Sequence, residues 1–202
     1  MPPTPDLKVV LLGDSGVGKT CLSDRFAKDT FTSYKTLMAT IGSAYVSKEV
    51  RVGNKKIILG VWDTAGNERY DAMTRLYYRG ANAAVICYDV TEPKTLKKVK
   101  YWINELRSVE ESCSIYVCAL KKDLLDSESD MVKHLENVEN YARGVPAKFY
   151  ITSSKTGENV AELFQDIATT CVPTVKNPHT QKSGDQFITL SSDNKKSMCC
   201  YN

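Results

Sequence analysis

Residues 13–20 read Gly13-Asp14-Ser15-Gly16-Val17-Gly18-Lys19-Thr20, a full match to the pattern G-x-x-x-x-G-K-[S/T]. The apolar run Leu7-Lys8-Val9-Val10-Leu11-Leu12, of strand length, stands directly before it, and Lys19 to Ala27 reads as a helix directly after it. Strand, glycine-rich loop and helix in that order turn a loose pattern into a phosphate site. Glycines let successive backbone N–H groups curl round an oxyanion without Cβ clashes, and the helix N-terminus adds a favourable dipole. In that geometry the backbone of Asp14, Ser15, Gly16, Val17 and Gly18 cradles phosphate. Lys19 reaches the outer phosphates, and the Thr20 hydroxyl is a ligand for Mg²⁺.

The same alternation continues outward. Ala44 to Val52 and Lys55 to Thr64 read as strands joined by Gly53-Asn54, a loop length suited to a tight hairpin. Ala83 to Val90 is a continuous apolar strand, and Leu96, Val99, Ile103 and Leu106 follow at helical spacing. Ser114 to Leu120 is a further strand. Met131, Leu135, Val138 and Ala142 mark a helix, Lys148 to Ser154 the last strand, and Val160, Leu163, Phe164, Ile167 and Cys171 the last helix. This is an α/β pattern: a mostly parallel sheet with helices on both faces and one antiparallel edge strand from the hairpin. Ligands of such sheets lie beyond the carboxyl ends of the strands, so the loops after Gly13, Asp63, Leu120 and Ser153 are expected in one neighbourhood.

The expected organisation is a flexible N-terminus over 1–6, one nucleotide-binding domain over 7–172, and a flexible tail over 173–202. In the tail Pro173, Pro178 and Gly184 stand among polar residues and periodicity fades. The 202 residues carry a net charge of only +3 with no long basic run, which argues against a nucleic-acid partner. No apolar stretch reaches the roughly 20 residues of a membrane-spanning helix. The start Met1-Pro2-Pro3-Thr4-Pro5 lacks the regions of a signal peptide, and Pro2 excludes N-myristoylation. Cys21, Cys87, Cys113, Cys118 and Cys171 match no zinc spacing. Cys87 and Cys118 read as small core residues, and the thiols are expected to be free.

A phosphate loop alone serves ATPases, kinases and GTPases; the later motifs discriminate. Trp62-Asp63-Thr64-Ala65-Gly66 resembles the Asp-x-x-Gly element of Ras-like GTPases, Thr40-Ile41-Gly42 their first switch, Lys121-Lys122-Asp123 the end of the Asn-Lys-x-Asp guanine-reading element, and Ser153-Ser154-Lys155 its Ser-Ala-Lys companion. Order and spacing fit over residues 7–172. The stretches Ile41-Gly42-Ser43-Ala44-Tyr45, Glu68-Arg69-Tyr70, Tyr77-Tyr78-Arg79-Gly80-Ala81 and Ile86-Cys87-Tyr88-Asp89-Val90-Thr91 resemble the Rab family, in a divergent branch of it. The resemblance implies a six-stranded P-loop GTPase fold that binds GTP and GDP with Mg²⁺. It gives Thr20, Thr40 and Asp63 to the metal, and the Gly66 N–H to the γ-phosphate. Nucleotide contacts extend to Cys21, Phe31, Lys121, Asp123, Ser153, Ser154 and Lys155, and Lys19, Thr40 and Asn67 act in hydrolysis. Residues 31–45 and 63–80 would be switch segments meeting effectors, exchange factor and GTPase-activating protein. The chain would be monomeric, in the cytoplasm and on the cytoplasmic face of intracellular membranes, with traffic at late endosomal or autophagic membranes implied by the branch.

The guanine reading also follows from chemistry. A carboxylate at Asp123 accepts hydrogen bonds from guanine N1–H and the exocyclic amine; adenine presents no such pair, and leaving the carboxylate unpaired is costly. Three departures from the family pattern stand out. Asn67 replaces the glutamine that orients the attacking water and is one methylene shorter. Leu120 replaces the asparagine that ties the base loop to the phosphate loop. The stretch from Phe31 to Thr40 is longer than usual, so either Phe31 or Tyr34 could cover the base. Asn67 and Leu120 leave two functions open: a slow GTPase switch, or a GTP-binding scaffold that recruits effectors with almost no hydrolysis. The end, Cys199-Cys200-Tyr201-Asn202, resembles the double-cysteine prenylation signal of Rabs and so implies the prenylation machinery and a lipid anchor; two lipid chains hold a membrane stably where one does not.

Overall fold

The computed structural model describes residues 4–32, 39–67, 71–125 and 129–172. Six strands form one sheet in the order β2-β3-β1-β4-β5-β6: β1 (Leu7–Gly13), β2 (Ser43–Val52), β3 (Lys55–Thr64), β4 (Ala83–Asp89), β5 (Ser114–Leu120) and β6 (Ala147–Ile151). All neighbours are parallel except β2, which pairs antiparallel with β3 from Ser43↔Thr64 to Val52↔Lys55 across the two-residue hairpin. The helices are α1 (Lys19–Lys28), α2 (Asp71–Tyr78), α3 (Leu96–Val109), α4 (Ser129–Gly144) and α5 (Val160–Cys171).

Sequence explains the layering. All seven residues of β4 are buried, as a central parallel strand covered on both faces requires. Successive β1 side chains go to opposite cores. Val9 and Leu11 join Leu22, Phe26, Leu163 and Phe164 beneath α1 and α5, while Val10 and Leu12 join Trp102, Ile103, Leu106, Val138 and Ala142 beneath α3 and α4. Phe26 and Phe164 stack at 3.8 Å between ring centroids, which locks α1 against α5. Cys87 and Cys118 are fully buried core residues, and the five cysteines among the described residues are free thiols.

Several elements differ from expectation, most of them by one residue at an end, and three differences matter more. The last strand ends at Ile151 rather than Ser154, because Thr152 N–H turns back to the Ala119 carbonyl at 2.8 Å and Ser153 N–H bonds Glu158 O at 3.1 Å. Thr152, Ser153 and Ser154 thereby leave the strand and form a buried loop. Helix α2 has no signature in the sequence, since its eight residues are too few for a period to show. Order also reaches back before Leu7: Asp6 N–H donates to Ile58 O at 2.9 Å, and its Oδ2 accepts the Ile58 N–H at 2.8 Å. No helix among the described residues is long and apolar enough to cross a membrane.

Candidate functional site

Because five strands run the same way, the loops following β1, β3, β5 and β6 emerge at one edge of the sheet, as expected. The loop after β1 enters α1 through Gly18, whose φ of 111° is a left-handed conformation that a side chain rarely tolerates. Lys19, the first residue of α1, is 5% exposed. Its Nζ donates to Gly13 O at 2.9 Å and to Asp14 O at 2.8 Å, so the ammonium is folded back over its own loop. Burial lowers its pKa, opposed by the negative charges of Asp63 and Asp14. Ser15 N–H is held by the Asp14 carboxylate at 2.8 Å.

Thr20, Thr40 and Asp63 converge beside it. The Thr20 hydroxyl donates to Asp63 Oδ2 at 2.6 Å and lies 3.1 Å from Thr40 Oγ1. Asp63 is 1% exposed; burial raises its pKa, against the pull of the Thr20 hydrogen bond and the Lys19 charge. Its Oδ1 is buried without a hydrogen-bond partner. An orphaned carboxylate oxygen is expensive unless a cation completes it. Two hydroxyls and one carboxylate suit Mg²⁺, which takes few protein oxygens and keeps water and phosphate for the rest of its shell. Among the described residues no cluster of three or more His, Cys, Asp and Glu side chains offers a rival metal site.

The loop after β3 lies against the phosphate loop. A Cβ on Gly66 would stand 2.4 Å from the Asp14 carbonyl carbon and oxygen, so only glycine permits this approach. Ala65 N–H bonds Gly42 O at 2.9 Å, joining the segment after Thr40 to the one before Asn67. The residues following Asn67 as far as Tyr70, and residues 33–38 including Tyr34, lie outside the described residues. Phe31, at 41% exposure, is free to meet a base from the loop after α1. Cys21 is buried, with its thiol directed to Thr32 O at 3.7 Å.

The loops after β5 and β6 form the opposite wall. Lys121 adopts φ 66° and sends Nζ to Asp89 Oδ2 at 2.5 Å, its stem passing near Gly18. A non-glycine residue at positive φ is strained and is often held that way at a site. Ser153 Oγ donates to Asp123 Oδ1 at 2.6 Å, and Lys155 Nζ lies 3.8 Å from Asp123 Oδ2. Ser154 is buried, and the Lys155 side chain is 59% exposed. The phosphate loop, Thr20, Thr40, Asp63, Gly66, Lys121, Asp123, Ser153, Ser154 and Lys155 stand on this edge; Cys199 and Cys200 lie outside the described residues.

Sequence reading missed two groups of partners. Asp89, at the end of β4, anchors Lys121. The Tyr77-Tyr78-Arg79-Gly80-Ala81 stretch fastens the end of α2: buried Tyr78 donates its hydroxyl to Glu105 at 2.9 Å, Lys8 Nζ bonds Arg79 O at 2.7 Å, and Gly80 N–H bonds Glu110 at 2.9 Å. No periodicity signals either, since each joins residues far apart in sequence.

Comparison with known proteins agrees with this geometry. The Ras family model matches residues 8–172. The chain is 41% identical over 199 residues to "Ras-related protein Rab-24" of Dictyostelium discoideum, covering 96% of this chain and 97% of that one. It is 43% identical over 163 residues to "GTP-binding protein ypt5" of Schizosaccharomyces pombe (80% of this chain, 75% of the relative). It is 36% identical over 195 residues to "Ras-related protein Rab-22A" of Mus musculus (96% and 98%). With the Ras model spanning nearly the whole domain and Rab proteins matched end to end, the chain belongs to the Ras family of small GTPases, in its Rab branch.

Proposed function

We propose that this Rab-type GTPase is a Mg²⁺-dependent GTP/GDP switch for vesicle traffic whose nucleotide lies along the edge formed by residues 13–20, 63–66, 121–123 and 153–155. The carrying observation is the convergence of buried Lys19, the Thr20–Thr40–Asp63 cluster with its orphaned carboxylate oxygen, and Asp123 aligned by Ser153. Lys19, with two donors on its own loop, has a third for a phosphate oxygen. Thr20, Thr40 and Asp63 would hold Mg²⁺, which neutralises charge on the β- and γ-phosphates. The Gly66 N–H, pressed against Asp14, would sense the γ-phosphate, so the two segments joined at Gly42 and Ala65 would order or loosen together. Exposed Ile41, Tyr45 and Leu76 would then offer effectors, exchange factor and GTPase-activating protein an apolar surface that follows the nucleotide.

Base reading gives the direct test. An Asp123 carboxylate accepts from guanine; an amide at that position can donate to the 2-oxo group of xanthine. Asp123→Asn is expected to lose GDP affinity by about 10²-fold and to gain XDP affinity. Equal GDP affinity in wild type and variant would refute the base site. The traffic step implied by the branch is late endosomal or autophagic, with the chain held at the cytoplasmic face of the membrane by prenyl groups on Cys199 and Cys200. A Cys199→Ser, Cys200→Ser double variant is expected to move from the membrane pellet to the supernatant of fractionated cells with unchanged GDP binding; continued sedimentation with membranes would exclude that anchor.

A second reading is favoured by Asn67 and Leu120: a scaffold that stays GTP-loaded and recruits effectors with almost no hydrolysis. Single-turnover hydrolysis separates it from a slow switch.

A further inference from the structure

Arg25 lies on α1, the helix that begins with Lys19 and Thr20, yet its side chain reaches across to the loop after β6. Nε donates to Ser154 O at 2.6 Å and Nη2 to Lys155 O at 2.9 Å. Nη1 donates to both the carbonyl (3.0 Å) and the carboxylate (2.9 Å) of Asp29. Asp29 caps α1 in a left-handed conformation and returns its own N–H to Arg25 O at 3.1 Å. The Arg25 side chain is 16% exposed and its stem runs beside Gly157. Four of its five donors are thus used in a fixed fork, an arrangement a lysine cannot reproduce.

The loop it grips is the one that orients Asp123. Ser153 Oγ accepts the Thr156 N–H at 3.1 Å while donating to Asp123, and Lys122 N–H bonds Thr152 O at 3.0 Å. The side chain at position 120 contributes no polar tie; only its backbone does, through the Val90 N–H donated to Leu120 O at 3.2 Å. Leu120 is 1% exposed in the α1–α5 core, with Cδ1 3.6 Å from where a Gly18 Cβ would stand.

We infer that Arg25 is a positioning residue for the guanine base: it clamps residues 153–155 to the phosphate-loop helix and so holds Asp123 in register with the phosphates, a linkage that Leu120 supplies only by apolar packing. This rests on the assignment of Asp123 to the base made above. The clamp joins the base-reading wall to the phosphate-reading helix through a side chain that need not touch nucleotide. Its loss should act on dwell time and base selectivity rather than on phosphate or Mg²⁺ contacts.

The test is release of fluorescent GDP and of fluorescent IDP, which lacks the exocyclic amine, from the full-length Mg²⁺-loaded protein. Arg25→Ala is expected to speed GDP release by about tenfold or more, because two charge-assisted hydrogen bonds to the loop are lost. IDP release should speed up less, so that the wild-type discrimination between GDP and IDP shrinks. Arg25→Lys, which restores the charge and at most part of the fork, should fall between. An equal speeding of both nucleotides, or GDP release within twofold of wild type in both variants, would overturn the clamp. Should Arg25→Ala not fold, Arg25→Lys decides by the same two ratios. Asp123→Ala separates the levels. If it leaves discrimination between GDP and IDP intact, the base site itself is wrong; if it abolishes discrimination while the Arg25 variants do not reduce it, only the clamp fails.

Discussion

Lys19→Ala is expected to lose GTP and GDP affinity by on the order of 10²- to 10³-fold, the largest effect of any single substitution in this site. Lys19 is 5% exposed, its Nζ spans the Gly13 and Asp14 carbonyls, and burial lowers its pKa against the opposing pull of Asp63 and Asp14. Truncation removes a positive charge from beside the phosphates, and a buried charge partner is worth far more than an exposed one. Two carbonyl oxygens also lose their donor. Lys19→Arg should not rescue, because the planar fork does not fit the space of a compact ammonium enclosed by its own loop. Isothermal titration with GDP in Mg²⁺ checks both variants, with circular dichroism to confirm the fold. Affinity within threefold of wild type would remove Lys19 from the phosphate site.

Asn67→Gln is expected to raise single-turnover GTP hydrolysis by up to about 10²-fold. Unaided family members with glutamine turn over at only on the order of 10⁻⁴ s⁻¹, and a supplied arginine adds roughly 10³ to 10⁵. The reaction is mostly positioning plus charge stabilisation, so an amide drawn back by one methylene weakens the positioning share. Lys19, Thr20 and Asp63 leave the electrostatic share in place. Gly66, immediately before Asn67, is pinned against Asp14, which limits how far the backbone could shift to make up the missing length. Wild-type hydrolysis equal to that of a glutamine-bearing Rab, together with no change in Asn67→Gln, would mean that the loop compensates and that hydrolysis is not slow.

What could be read from sequence was local and periodic. The phosphate loop is legible because its chemistry requires fixed residue types at fixed spacing, entered from an apolar strand. The central strands are legible because burial on both faces leaves uninterrupted apolar runs. Family resemblance places Thr40, Asp63, Asp123 and Ser153; the common location of the last three follows from parallel strands ending at one edge, and Thr40 joins them because antiparallel β2 begins there, with Ser43 opposite Thr64. Arg25 and Asp89 were illegible for the opposite reason. Arg25 meets a partner 129 residues away and Asp89 one 32 residues away, and a lone arginine or aspartate carries no pattern that names its partner. Sequence alone extends β6 past Ile151 because Thr152 is compatible with a strand, whereas the turn is fixed by a tertiary bond to Ala119. In the sequence Leu120 shows only as a missing hydrogen bond; in the structure it is also a core residue, which explains how an apolar side chain is accommodated there.

The reading of this edge as a guanine-nucleotide site is tested most directly by heat-denaturing the purified protein and separating whatever nucleotide it releases. Guanine nucleotide, GDP or GTP, at close to one mole per mole of protein is the predicted result, with adenine nucleotides unable to displace it when added in excess. Bound adenine nucleotide, or ready displacement of GDP by ADP, would contradict it.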